Sequence, residues 1–241
     1  MFFDKRILYA IIIVMVVSGL SSYLSNTASL VGLLLTIPGV LIAITFHEFA
    51  HAFAADKLGD DTPRLQGRLS LNPIDHLDPI GSIMLLFAGF GWGKPVEVDS
   101  RNFNRDITVD KANAIVSIAG PLMNFVLAII FALIYGACSK FLGTQIASSQ
   151  VLQIIMTIIV YTISINIGLG VFNLIPLPPL DGSKVIKPFL PTNAKMWFEN
   201  HEDIFYIVFV VLWITGIAGN IILPVIRMVN NLIMQLINII F

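Results

Sequence analysis

The succession of long apolar runs constrains this chain more than any other feature, because most of them approach or exceed the length that a helix needs to cross a lipid bilayer. A spanning helix takes roughly 20 apolar residues. Inside lipid, such a segment must satisfy its backbone hydrogen-bonding groups within itself, which an α-helix does. We therefore predict an all-α polytopic membrane protein with about six transmembrane helices, near residues 7–24, 30–57, 111–137, 151–174, 203–218 and 220–241.

The composition agrees with a protein surrounded by lipid and excludes several other classes. Only 12% of the 241 residues are charged and 56% are hydrophobic, whereas about a quarter of the residues are charged in a typical soluble domain. The formal net charge of −1 excludes a nucleic-acid binder driven by electrostatics. The single cysteine, Cys138, excludes an internal disulfide framework and a zinc site built from several thiolates. We expect residues 1–241 to form one membrane domain that contacts the bilayer and no nucleic acid.

The basic residues indicate the orientation of the predicted helices. With six crossings, all but two of the 14 lysines and arginines fall on the same side as the amino terminus, and the exceptions are Lys140 and Arg227. Because basic residues are enriched in cytoplasmic loops, we expect a cytoplasmic amino terminus. Arg227 lies inside the last apolar run, so either this helix lies partly in the interface or the long arginine side chain reaches the headgroups.

Two shorter segments do not fit a spanning helix. Residues 79–91 are apolar but too short to cross, and they are bounded by proline and glycine, which favours a re-entrant loop or a segment buried against other helices. In residues 94–99, two valines alternate with acidic residues. A period of two predicts a short β-strand or hairpin at the membrane surface, with an edge of unpaired backbone groups.

The second apolar run carries the clearest chemistry, His47-Glu48-Phe49-Ala50-His51. Residues four apart share one face of a helix, so both imidazoles can reach the same metal ion. Glu48 lies beside the first histidine, where its carboxylate can act on a water molecule bound to the metal. Ionisable residues inside a membrane are costly and usually functional. The alternative is a helix that packs these polar residues inward without a metal.

A catalytic zinc site needs a third protein ligand and an open position, and Asp181 is the best candidate. It follows a proline-rich stretch, residues 173–180, that ends the fourth predicted helix where it leaves the membrane. The alternative for Asp181 is the N-cap of a following helix. His76, in a proline-rich turn, is a weaker candidate, for which a loop or substrate-positioning role fits better. His201 stands beside acidic residues and is expected to be a solvated interface residue.

The paired motifs HEFAH and NLIPLPPLDG, at residues 47–51 and 173–182, resemble those of the site-2 protease family of intramembrane zinc metalloproteases. Further stretches that resemble the family are GRLSLNPIDHLDPIG, GFGWGKPVEVD, RNF and AGPLMN. The resemblance covers residues 40–190. The connection at residues 136–150 is too short for the PDZ domain that many members insert, and no CBS module is expected, so the chain resembles a minimal core member.

The resemblance implies a role for five residues. One zinc ion per chain would be held by His47, His51 and Asp181, and Glu48 would be the catalytic base. Asn124, in the family's G-x-x-x-N pattern, would help to position the substrate or to polarise its carbonyl. An asparagine in a transmembrane helix also commonly just bonds a neighbouring helix, which is the alternative for Asn124.

The function implied by the resemblance is regulated intramembrane proteolysis. The substrate would be a membrane protein with a transmembrane helix, and the enzyme would be a multi-pass protein of a prokaryotic cell membrane. Three alternatives stay open at this point. They are a membrane ion transporter or metal-binding protein that uses the same His/Asp site, an inactive relative that binds substrate, and a membrane peptidase of another zinc family.

Overall fold

The computed structural model describes residues 5–88 and 92–241 and is predominantly helical. Within these residues no strand ladder forms, which confirms the all-α prediction. The helices, in chain order, are α1 (Lys5–Leu24), α2 (Thr27–Lys57), α3 (Thr62–Leu65), α4 (Pro79–Ala88), α5 (Val109–Ser148), α6 (Gln150–Asn173), α7 (Asp181–Ile186), α8 (Thr192–Asn200), α9 (Glu202–Ile214) and α10 (Ile217–Ile240).

Four helices are long and apolar enough to cross a membrane, namely α2, α5, α6 and α10. They coincide with the second, third, fourth and last predicted spans, so the prediction of a multi-pass membrane protein is confirmed. The other two predicted spans fall on α1 and α9. The 13 residues of α9 extend about 20 Å at 1.5 Å per residue, which is less than the roughly 30 Å of a hydrocarbon core. By length and composition together, the described residues support four crossings, and the count of six stays a prediction.

Helices α2, α5 and α6 form the central bundle. Small side chains let the three helices approach closely, since Ala43 on α2 and Ala128 and Ala132 on α5 have no exposed surface. Ile167 on α6 is fully buried in the same bundle. Because lipid tails are as apolar as these side chains, packing and interhelical hydrogen bonds hold such helices together. The few polar residues in the bundle therefore carry information about its function.

Helix α10 packs along α6 through one apolar face. Ile233 and Ile237 of α10 form a cluster with Ile159 and Ile163 of α6. Arg227 lies near the middle of α10, and its side chain is exposed. A helix that runs alongside a candidate spanning helix does not lie flat in the interface. The packing therefore favours the second expectation for Arg227, a long side chain on a spanning helix.

The apolar segment at residues 79–91 begins with a helix. Its first ten residues form α4, which is too short to cross a membrane, as predicted. Residues 89–91 lie outside the described part of the chain, so the predicted re-entrant path stays a prediction.

The predicted strand or hairpin at residues 94–99 is not confirmed. In the described ranges, the pairing formed near this segment is an isolated bridge between Leu77 and Gly93. Side chains take up the backbone groups of the segment instead. Arg68 donates to two of its carbonyls, and the Val96 N–H donates to Glu48. An alternating pattern predicts an extended backbone, but a strand also needs a neighbouring strand, and none lies beside it in the described ranges.

Candidate metal centre

Two histidines of α2 and the first residue of α7 meet at one point in the bundle. His47 and His51 lie one turn apart on the same face of α2, with their Nε2 atoms 3.0 Å apart. Oδ2 of Asp181 lies 3.2 Å from each of these nitrogens. The structure thus brings together the three side chains that the sequence predicts as ligands, and each offers one ligand atom within 4.8 Å of the others.

The chain reaches Asp181 because prolines end α6. The seven residues after Asn173 include three prolines, which prevent the helix from continuing. Helix α7 then begins against this loop, and Gly182 lies so close to two loop carbonyls that a side chain there would overlap them. Leu180 occupies the N-cap position of α7. Asp181 is therefore not the N-cap, and its carboxylate faces the histidines.

The outer nitrogen of each histidine is held by an oxygen acceptor. His47 Nδ1 donates to Asn124 Oδ1 over 2.7 Å, and His51 Nδ1 donates to the Val116 carbonyl, also over 2.7 Å. Amide and carbonyl oxygens only accept hydrogen bonds, so both Nδ1 atoms carry the hydrogen. Both Nε2 lone pairs consequently face the point that the three side chains share.

This donor set fits a zinc ion. Two imidazole nitrogens and a carboxylate oxygen are ligands of catalytic zinc sites, which keep a further position open. Tetrahedral zinc with bonds of about 2.0–2.1 Å sets its ligand atoms about 3.3 Å apart. The separations between the His47, His51 and Asp181 atoms, 3.0 and 3.2 Å, are close to this value.

Gly120 on α5 leaves the space in which the ligand atoms meet. A Cβ atom at this position would lie 2.5 Å from His51 Nε2 and 2.7 Å from His47 Nε2. Both separations are well below van der Waals contact, so a side chain would displace one or both imidazoles. The glycine of the AGPLMN stretch is therefore part of the candidate site.

Glu48 and the three candidate ligands line one cavity of about 470 Å³. Its walls are mainly apolar and come from α2, α4, α5, α6, α7, α9 and residues 92–98. The Glu48 carboxylate accepts a hydrogen bond from the Val96 N–H over 3.2 Å. A carboxylate in this position can exchange a proton with a water molecule or a peptide group that enters the cavity.

Asn124 is fully buried and does not line this cavity. Its Nδ2 donates to the Ala43 carbonyl over 3.1 Å and to Oδ1 of Asn166 over 3.0 Å. Both hydrogens of the amide are therefore used inside the protein, and its oxygen faces His47. No motif pointed to Asn166; the signal that identifies it is a second asparagine inside an apolar run.

The other two histidines lie away from the ligand group. His76 is fully buried, and its Nε2 donates to the Ser70 carbonyl over 2.6 Å. The His76 carbonyl accepts from the Lys94 N–H over 2.8 Å. His76 thus holds the loop that precedes α4 to the segment that carries Val96. His201 lies between α8 and α9 and bonds the Trp197 carbonyl.

The comparisons with known proteins place the chain in a family. The sequence model of peptidase family M50 matches residues 35–216. The chain belongs to family M50, the site-2 proteases. The matched range of this M50 protein includes His47, Glu48, His51 and Asp181.

Several M50 relatives resemble the chain over most of its length. YwhC of Bacillus subtilis, by name a candidate zinc metalloprotease, is 39% identical over 203 residues, which are 84% of this chain and 90% of YwhC. Rip2 of Mycolicibacterium smegmatis, named in the same way, is 30% identical over 185 residues, which are 76% of this chain and 67% of Rip2. The zinc metalloprotease MJ0392 of Methanocaldococcus jannaschii is 24% identical over 152 residues, which are 63% of this chain and 33% of that protein. No solved structure matches this chain significantly.

Proposed function

We propose that this M50 protein is an intramembrane zinc metalloprotease that hydrolyses peptide bonds within or near the transmembrane segments of membrane-protein substrates. The observation that carries the proposal is the placement of Glu48 in one apolar-walled cavity with His47, His51 and Asp181. That cavity lies among helices apolar enough to span a membrane. Membership of family M50 and the zinc metalloprotease names of the relatives support the same function.

In this proposal His47, His51 and Asp181 hold one zinc ion. The chemistry that zinc supplies when bound is the polarisation of a carbonyl group and a lowered pKa of a water molecule. The hydrogen bonds at the two Nδ1 atoms keep the imidazoles in the tautomer whose Nε2 atoms can ligate. We assign Asn124 to this task at His47 rather than to contact with the substrate, because its side chain is buried away from the cavity.

Glu48 moves the proton in the proposed reaction. Its carboxylate accepts a proton from the attacking water and later donates it to the amine nitrogen as the carbon–nitrogen bond breaks. The Val96 N–H holds Oε2 at the cavity wall. In the described ranges Oε1 makes no hydrogen bond, which leaves it free to take the proton.

The proposed substrate is a transmembrane helix that unwinds locally. A peptide bond within a helix is shielded by the hydrogen bonds of its neighbours, so the reacting residues must become extended. The apolar walls of the cavity suit the side chains of such a segment. The backbone at residues 92–98 borders the cavity and offers polar groups to an unwound chain.

We further propose six crossings with a cytoplasmic amino terminus. In this proposal α1 and the predicted span at residues 203–218, which contains most of α9, supply the two crossings beyond the four long helices. The support is the distribution of basic residues, since all but two of the 14 lysines and arginines then lie on one side. Location in a prokaryotic cell membrane and a role in regulated proteolysis belong to the same proposal.

The test uses purified protein in lipid vesicles with a single-span model substrate. We expect one zinc per chain, cleavage that a chelator abolishes, and a loss of about 10²–10⁴-fold in rate for Glu48→Gln with zinc content unchanged. The matched control is Glu97→Gln, which changes an exposed glutamate whose partner is Gln66. Near-normal cleavage by Glu48→Gln, or wild-type protein that takes up no zinc, would contradict the proposal.

A further inference from the structure

We propose that Asn166 on α6 is a positioning residue that orients the candidate ligand His47 through Asn124. The inference rests on the proposed function, because it requires a metal at His47. The three side chains come from three different helices and form one hydrogen-bonded chain. Asn124 Oδ1 lies 2.7 Å from His47 Nδ1, and Asn124 Nδ2 lies 3.0 Å from Asn166 Oδ1. Both asparagines are fully buried and His47 is 6% exposed, so water does not compete for these bonds.

The direction of every hydrogen bond in this chain is determined by backbone carbonyls. Asn166 Nδ2 donates to the Thr162 carbonyl over 2.8 Å, so Asn166 Oδ1 is the atom that faces Asn124. Asn124 Nδ2 donates to this oxygen and to the Ala43 carbonyl, which uses both of its hydrogens. Its Oδ1 is then left to accept from His47 Nδ1. The chain of bonds therefore selects the His47 tautomer whose Nε2 lone pair is available to a metal.

Without the Asn166 acceptor, the Asn124 amide loses one of the two bonds that fix its orientation. An Asn124 amide turned by half a rotation would present its NH₂ group to His47 Nδ1, and two donors cannot share a hydrogen bond. His47 would then favour the other tautomer, in which Nε2 carries the hydrogen and cannot ligate.

His51 gives an internal comparison, because its Nδ1 donates directly to the Val116 carbonyl. A backbone carbonyl in a helix cannot rotate as an amide side chain can. Only His47 depends on a pair of side chains for its orientation. Removal of the Asn166 acceptor is therefore expected to disturb only His47 among the three candidate ligands. The metal affinity should fall, but the site should still bind metal.

An asparagine pair between helices can also serve only to hold the helices together. The two roles differ in what they predict for the metal. A purely structural bond contributes to folding with or without zinc, and its loss leaves the zinc affinity of the folded protein unchanged. A positioning role predicts a loss in zinc affinity that requires Asn124.

The experiment measures zinc affinity by competition with a chelator of known affinity, without any substrate. Asn166→Leu keeps the volume of the side chain and removes its polar atoms, and we expect zinc to bind about 10–100-fold more weakly, as is usual for the loss of an outer partner of a ligand. Asn166→Ser, whose hydroxyl is too short to reach Asn124, should show the same loss and serves if the leucine variant does not fold. Asn231→Leu, the same change at an exposed position of α10, should leave the affinity unchanged.

A double-mutant cycle in zinc affinity with Asn124→Leu tests whether Asn166 acts on the metal site through Asn124. We expect Asn124→Leu alone to weaken zinc binding at least as much as Asn166→Leu, and the double variant to bind zinc as Asn124→Leu does. Losses that add in the double variant, or an Asn166→Leu variant with wild-type affinity, would overturn the positioning role while the proposed function stands. Wild-type protein that takes up no zinc would overturn both proposals together.

Discussion

The carboxylate of Glu48 and the backbone N–H of Val96 are joined by a hydrogen bond of 3.2 Å. This contact ties the candidate base to the segment that borders the cavity. The same segment is held from the other side by Arg68, which donates to the Lys94 and Pro95 carbonyls. The orientation of the base therefore depends on a loop that is far from α2 in sequence.

Removing this N–H should impair the reaction without affecting the metal. Val96→Pro deletes the donor, so Glu48 Oε2 loses the bond that holds it at the cavity wall. Because a small misplacement of a catalytic group is costly, we expect the cleavage rate to fall by about 10-fold or more, up to on the order of 10²-fold. Zinc content should stay at the wild-type level. Val96→Ala keeps the N–H and is the matched control, and an equal loss in both variants would show that the side chain, not the hydrogen bond, matters.

Gly120 should be intolerant of even a methyl group. Gly120→Ala places a Cβ atom 2.5 Å from His51 Nε2, so an imidazole must move away from the shared point. We expect a large loss of bound zinc, measured by metal analysis, and a fall in cleavage on the order of 10²-fold. Gly143→Ala is the matched control in the same helix, because a Cβ there has no atom within 4 Å. Normal zinc binding by Gly120→Ala would mean that the ligands do not meet against α5.

The residues of the candidate metal site could be predicted from the sequence because part of their placement depends on local geometry. A spacing of four residues puts His47 and His51 on one helix face in any α-helix, and the prolines before Asp181 end α6 wherever it lies. Asp181 could be chosen only as the best candidate, with an N-cap as the alternative, because no local rule states which helix a residue will face after a loop. The family resemblance then supported the choice.

Local rules predict neither the contact of Asn166 nor the absence of a strand at residues 94–99. The contact between Asn166 and Asn124 depends on the register of α6 against α5, which one sequence read alone does not contain. The alternating valines and acidic residues correctly indicate a segment outside the spanning helices. They do not show that Arg68 and Glu48 take up its backbone groups in place of a second strand.

The loop after α2 should make the protein sensitive to acid. Burial alone would raise the pKa of Asp60, but hydrogen bonds donated by Thr62, Asn102 and the Asp99 N–H outweigh it and lower the pKa below the usual value. A native pKa below the unfolded value of about 3.9 stabilises the fold fully above that pH. The stabilisation is lost as the pH falls through the native pKa.

Asp60→Asn should therefore lower the free energy of unfolding at neutral pH. We expect a loss of about 1–3 kcal/mol, because buried donors that now bond the carboxylate would be left without an acceptor. It should also reduce the further loss of stability as the pH falls below the unfolded pKa of about 3.9. Thermal unfolding in detergent, measured at neutral pH and at a series of acidic pH values, measures both effects. Asp61→Asn, a change at the exposed neighbour, is the control. A variant at Asp60 that matches the Asp61 variant at every pH would contradict the role of the buried carboxylate.

The orientation of the chain can be tested at two glutamines that lie at opposite ends of the central bundle. Gln66 follows α3 on the side where α2 ends, and Gln145 lies near the carboxyl end of α5, just before α6. Both side chains are exposed. With a cytoplasmic amino terminus and α1 as a crossing, α2 ends in the cytoplasm and α5 ends outside. A Gln145→Cys variant in a Cys138→Ala background should then react with a membrane-impermeant thiol reagent added to whole cells. The matched Gln66→Cys variant should react only after the cells are opened. The reverse pattern would place the amino terminus outside and remove the cytoplasmic assignment of the basic loops.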